Sequence, residues 1–176
     1  MSVQTSVALA PAIAFAGQIA DGVAFDAITL VNAEASVSMP FGAIVAYMVS
    51  SPTSDKAAIL PAASTARLAG VLLHKHNYER TWTMPDGSVA GELDSVGLVV
   101  GVTFSCMMKG HVYVTCEGGC VVGDKLWVRY ATGTLGAARS SDAGSSTCID
   151  ATTRGTWLSI AADAKIAKLA VDFLSK

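Results

Sequence analysis

Lysine and arginine are missing from the start of the chain: the first basic side chain is Lys56, and residues 1–54 carry only Asp21, Asp26 and Glu34. A secretory leader opens with a basic segment ahead of its apolar stretch, so MSVQTSVALAPAIAFAGQIA is not expected to be a cleaved signal. Charged residues are scarce overall, at 15%, where soluble domains average about a quarter. The formal net charge of −2 argues against a dedicated nucleic-acid binder, which would present a basic patch or stripe. Proline is absent after Pro85 and aromatics reach only 7%. No long uninterrupted apolar run is present either. The longest chargeless stretches, Met1–Ala20 and Ala35–Ser54, are broken by Pro11, Pro40 and Pro52, so no membrane span is expected. There is no glycine loop followed by Lys-Ser/Thr for phosphate, and no G-x-G-x-x-G.

What remains is apolar and small. Hydrophobic residues make up 52% of the 176, dominated by Ala and Val, which excludes disorder and allows a real core. An isolated monomer usually carries more surface charge than this. The composition therefore predicts a soluble chain that hides part of its surface against other subunits. Every basic residue and 11 of the 14 acidic ones lie beyond residue 54, while all five prolines lie in the first half. That asymmetry predicts an apolar, extended N-terminal arm over residues 1–38, joined without a linker to a compact domain over 39–176. Within the arm, Val7, Leu9, Pro11, Ile13, Phe15 and Ile19 are the expected subunit contacts, because on a free monomer they would expose an apolar strip.

From Leu68 onward the apolar period is mostly two. Gly70–Leu73 is a short apolar run, and Tyr78–Thr83 alternates. Leu98–Met108 places Val100, Val102, Phe104, Cys106 and Met108 on one face. Lys109-Gly110 reads as a turn into His111–Cys116, where Val112, Val114 and Cys116 share a face. Lys125–Tyr130, Thr156–Ile160 and Ile166–Leu174 complete the set. Ala161–Lys176 has a helix-favouring composition, yet Ala167, Leu169, Val171 and Phe173 alternate with Lys168, Ala170 and Asp172, which predicts a strand. Pro61 limits Asp55–Arg67 to a helical turn at most. Short strands with glycine turns between them predict an all-β, antiparallel barrel or sandwich.

The search for chemistry nominates no catalytic, cofactor-binding or metal residue. His74-Lys75-His76 would put two imidazoles on one strand face, but no third ligand is nominated over His111, Glu79 or a thiol, and a polar strand end explains the pair. Ser88 in Gly87-Ser88-Val89-Ala90-Gly91 sits one place early for a nucleophile elbow, and Pro85-Asp86-Gly87 is a turn signal. Glu92 and Asp94 read as a solvated loop. Cys106, Cys116, Cys120 and Cys148 provide neither a disulfide framework nor a full ligand set and are expected as reduced thiols. Trp82, Trp127 and Trp157 lie in alternating runs and are expected to pack on a sheet. No cofactor is expected.

Several segments resemble the structural cement (capsid decoration) proteins of tailed bacteriophages. Met39-Pro40-Phe41-Gly42-Ala43-Ile44-Val45 is similar to the entry into that family's first sheet, and Ala66-Arg67-Leu68-Ala69-Gly70-Val71 to its "A-G-V" strand. Lys109–Val114 and Val121–Val128 resemble its "G-x-V-x-V … v-x-G-D-x-v-y-V" hairpin series. Gly133-Thr134-Leu135 and Gly155-Thr156-Trp157 are like its later turns, and Ile166–Phe173 like its closing strand. The likeness spans roughly residues 39–173, leaving 1–38 and Met84–Asp94 unanchored.

The resemblance implies a β-tulip-like domain and a non-enzymatic virion protein made in the host cytoplasm. Such a protein binds the outside of an icosahedral head and clamps major capsid subunits, with a homotrimer at three-fold positions favoured over other oligomers. It implies no nucleic-acid or membrane partner. Competing readings are a sugar-binding β-domain of a phage tail or surface protein, which needs exposed tryptophans, a small hydrolase, and a ligand-carrying barrel.

Overall fold

Period-two alternation gives a strand one side to bury, and a sheet twisted by its own backbone can bury that side by curling on itself. The computed structural model does this around two adjoining cores. It describes residues 14–20, 24–35, 37–48, 56–74, 82–83, 89–90, 97–98, 100–142 and 147–174. Among these there is no helix, and the fold is all-β as the alternation predicts. In chain order the strands are β1 (Asp26–Asn32), β2 (Ile44–Tyr47), β3 (Ala57–Ile59), β4 (Leu68–Leu72), β5 (Trp82–Thr83) and β6 (Val89–Ala90). They continue with β7 (Thr103–Glu117), β8 (Trp127–Arg129), β9 (Ala138–Arg139), β10 (Cys148–Asp150), β11 (Gly155–Trp157) and β12 (Lys165–Asp172).

The first barrel is a ring. β1 pairs with β3, β3 with β2, β2 with β4 and β4 with β7, and the first half of β7 closes on β1. Leu30, Val45, Ala58, Leu72, Phe104 and Cys106 fill it. Asn32 is the buried polar residue here, and both ends of its amide are used. Its Nδ2 donates to Leu98 O at 2.7 Å and its Oδ1 accepts from Glu34 N at 2.8 Å, so burial leaves nothing unsatisfied.

The second half of β7 serves the other core. β12 runs antiparallel to it over Lys165–Asp172, and β11 pairs with β12. On its other side β7 meets β9, which pairs with β8, which pairs with β10. Leu126 N donates to Gly155 O at 3.1 Å and Trp157 N to Asp124 O at 2.9 Å, linking the entry of β8 to β11. Val112, Val114, Leu126, Val128, Trp157 and Leu169 pack inside. β2 and β4 face both cores: Ile44 and Val71 point into the second, Val45 and Leu72 into the first.

β7 can serve two cores because its side-chain phase slips once. Phe104 and Cys106 enter the first core, Met107 the second, and then Val112, Val114 and Cys116 the second again. A regular strand would have sent odd-numbered residues there. The slip lies at an irregular step in which Asp26 faces Lys109 but Ala27 faces Met107, so that Met108 is extra. Gly110 follows with φ +137°, and a Cβ there would lie 2.8 Å from that of Phe25. Lys109-Gly110 is therefore an in-strand bulge and not the turn its composition suggests. Glycine is needed there for backbone freedom and close approach.

Other expectations meet mixed outcomes. The C-terminal alternation does form a strand, β12. Asp55–Arg67 contains β3 and no helical turn among its described residues. The expected arm, residues 1–38, contributes β1 to the first barrel, where Leu30 is buried. Of the Met84–Asp94 segment, only β6 is described, paired with β5.

Candidate contact surfaces

Ala14–Ala20 is strapped along the second half of β7. Gly17 N donates to Tyr113 O at 2.7 Å, Tyr113 N to Gln18 O at 2.8 Å and Ala20 N to His111 O at 2.9 Å. A turn at Ala16-Gly17, closed by Gln18 N donating to Phe15 O at 3.0 Å, then sorts the side chains. Ile19 pairs with Val112 and packs against the second core, so its apolar surface is largely taken up by its own chain. Phe15 points the other way and is 57% exposed. Its ring stacks on His74 at 5.8 Å, and His74 meets the edge of Phe41 at 4.8 Å. These rings border an open cleft of about 800 Å³, which Val37, Leu135 and Ile166 also line. Val7, Leu9, Pro11 and Ile13 lie outside the described residues. Of the six expected contacts, Phe15 is thus placed on the surface and Ile19 against the core.

A second apolar surface escaped sequence reasoning. Cys120 pairs with Ala161, which brings Val121 and Val122 beside Ile160 at one end of the second core. Val122 is 67% and Ile160 74% exposed. A signal was present, since Val121-Val122 precedes the Gly123-Asp124 turn and so sits at a strand end, where side chains on both faces meet solvent.

Several chemistry-bearing groups among the described residues are packed or paired. Glu117 at the end of β7 accepts from two guanidiniums: Arg129 Nη2 lies 2.8 Å and Arg139 Nη1 2.9 Å from its Oε1. The bond to Glu117 also holds the Arg129 guanidinium above its ordinary pKa. This cluster ties β7, β8 and β9 together and resembles no acid–base pair. Cys106 is fully buried, and loss of hydration pushes its thiol up to about 12. Burial does the same to Cys116, whose thiol is hydrogen-bonded to that of Cys120. All four cysteines are free thiols. Trp157 is wholly buried, with its Nε1 donating to Arg139 O at 3.2 Å, and Trp127 is half-buried, so neither offers the open ring a sugar would need. Among the described residues no three His, Cys, Asp or Glu side chains gather around a point that could hold a metal. His76, Ser88, Glu92 and Asp94 lie outside them.

A barrel with strapped edges, apolar outer patches and paired charges suits binding better than turnover, and comparison with known proteins agrees. The family model for phage structural cement proteins (E217 gp24/Pam3 gp6) matches residues 3–172. The chain belongs to that family. It is a structural protein of the phage capsid. Among solved structures, the cement protein is similar to a chain in the capsid of Myoviridae Phage XM1, with a TM-score of 0.65 and 12% identity over 98% of each chain. At that identity the likeness is one of fold. A looser likeness, at a TM-score of 0.40 and 18% identity, is to the head fiber gp8.5 N base of bacteriophage phi29, covering 84% of this chain and 96% of that one. No curated protein matches the cement protein. The family match takes in most of residues 1–38, where sequence reasoning saw no likeness.

Proposed function

We propose that this cement protein binds the outer surface of the icosahedral head and bridges neighbouring major capsid subunits, acting as a homo-oligomer with a trimer favoured. The family match over residues 3–172 carries the reading. The role asks for buried area and no catalytic group, in keeping with a surface that offers apolar patches. The contact arm is the uncharged segment of residues 1–13 together with Phe15, which leads out of it at the rim of the cleft. Thirteen residues span at most ~45 Å when extended, enough to cross onto a neighbouring subunit. A stable interface needs only about 800 Å² from each partner, and several linked protomers multiply a modest affinity.

The test is co-sedimentation with purified heads that lack the protein. Deleting residues 1–13 removes no described strand, so the shortened chain should melt as the full one does while binding heads at least ~10-fold more weakly. Full-strength binding by that deletion would remove the arm from the proposal. No binding by the intact chain would remove the cementing role itself.

A further inference from the structure

On the side of β4 that carries Arg67, a cleft of about 480 Å³ opens between the two barrels. That volume falls inside the ~300–1,000 Å³ usual for binding sites. Its floor is apolar: Leu68, Met108, Ile149 and Phe173. Two guanidiniums stand over it. Arg67 lies across the Tyr47 ring at 5.3 Å and is exposed. Arg154 donates from Nη1 to Phe173 O at 2.8 Å, a bond that takes up one of the five N–H donors of a guanidinium.

Neither guanidinium has a carboxylate partner among the described residues, and this sets them apart from the chain's other described arginines. Arg129 and Arg139 share Glu117, and even Lys109 is paired with Asp172 at 3.1 Å. Asp150 is the one carboxylate lining the cleft, and its Oδ1 is engaged by the N–H of Thr152 at 2.9 Å. The described charges of the cleft therefore sum to +1 in a chain whose formal charge is −2.

The same cleft is bordered by β10, the last strand of its sheet. β10 pairs with β8 on one side and with no described strand on the other. A free edge offers backbone donors and acceptors to an incoming extended segment. The fork of an arginine suits a carboxylate, which it can hold by two parallel bonds.

We infer that this cleft seats an extended segment of a major capsid subunit that carries acidic and apolar side chains, laid along the free edge of β10 with a carboxylate on Arg67 and Arg154. The inference rests on the cementing role proposed above and names the chemistry of one of its contacts. It is independent of the N-terminal arm, whose Phe15 lines the other cleft.

The experiment uses the full-length chain and purified heads that lack it, with binding followed by co-sedimentation at low and at high salt. Arg67→Glu reverses an exposed charge, and Arg67→Gln removes it without adding a repulsion, so one of the two folds even if the other does not. Arg154→Lys keeps the charge and a donor for Phe173 O but loses the fork. Arg67→Glu should bind heads at least ~10-fold more weakly at low salt, with Arg67→Gln and Arg154→Lys in between. The salt dependence of the two Arg67 variants should be flatter than that of the unaltered chain, that of Arg154→Lys should be unchanged because the charge is kept, and the melting of all three should match the unaltered chain's. Unaltered binding by the folded Arg67 variants, while the parent chain binds, overturns the cleft and leaves cementing standing. A variant that loses self-association but keeps its affinity for heads also overturns it, since the cleft would then join copies of this chain. If the parent chain itself does not bind, the role and the cleft fall together.

Discussion

At the scale of single residues, the fold is governed by which polar and ionisable groups it encloses. Asn32 is tolerated because both ends of its amide are bonded, and Trp157 because its one N–H finds Arg139 O. Cys106 has no such compensation for a charge. Its thiol is raised from the ordinary 9.0 to about 12 by burial alone. A folded state that holds its proton longer than the unfolded chain is fully stable below pH 9 and loses stability as the pH climbs toward 12. The loss from this one thiol approaches about 1.4 kcal/mol per pH unit in that window. Denaturant melts of the native chain and of Cys106→Ala across pH 8–11 check this, the variant being the flatter of the two. Equal slopes would deny that Cys106 is buried as described. The thiols themselves were legible as free and structural from their spacing. Their depth was not, since Cys106 lies in β7, flanked on both sides, and Cys148 in β10 at the end of its sheet, a difference set by pairings remote in sequence.

Elements show where alternation suffices as a guide and where it does not. Ile166–Phe173 alternates without a break, and β12 follows over Lys165–Asp172 in spite of a helix-favouring composition, because it pairs with β7 along its length and buries Ala167, Leu169 and Val171 in the second core. β7 is the opposite case. Its two halves each alternate, but out of phase, and a phase break at a glycine looks the same in sequence whether the chain turns or bulges. The decision is tertiary: β1 and β4 flank the first half while β12 flanks the second, so the strand must run straight on. Gly110→Ala tests this. A Cβ in a left-handed backbone 2.8 Å from Phe25 should cost about 1–3 kcal/mol in denaturant unfolding. A true turn at that point would accept alanine with a smaller loss and without disturbing both cores. The strand at Asp26–Asn32 went unseen for a related reason. Its burial follows from pairing with Lys56–Ile59 and with β7, partners remote in sequence, and its charge-poor surroundings look the same as those of the residues before it.

For the whole molecule, residues 1–38 divide into a barrel strand and what precedes it. Removing Met1–Glu34 would take out β1, exposing the core that Leu30 and Asn32 help to close, so that cut should leave an unfolded or insoluble chain. A cut after residue 13 removes no described strand and separates folding from binding. The all-β class and the family were readable in the sequence because strand alternation and glycine-turn motifs are local. Which apolar residues face outward was not, since Phe15 and Ile19 share a phase on paper and are separated only by the turn at Ala16-Gly17, which sends one to solvent and the other against the core. Cementing makes one demand that fold and composition alone do not, namely that the protein holds a shell together from outside. The direct measurement is the temperature at which purified heads come apart, recorded without the protein, with it, and with the chain lacking residues 1–13, while electron microscopy shows where the protein sits. Saturating, regularly spaced density on the outer surface, with a higher disruption temperature that the shortened chain fails to restore, is the expected result. Heads that bind the protein yet come apart at an unchanged temperature, or that carry it only on their inner face, would contradict it.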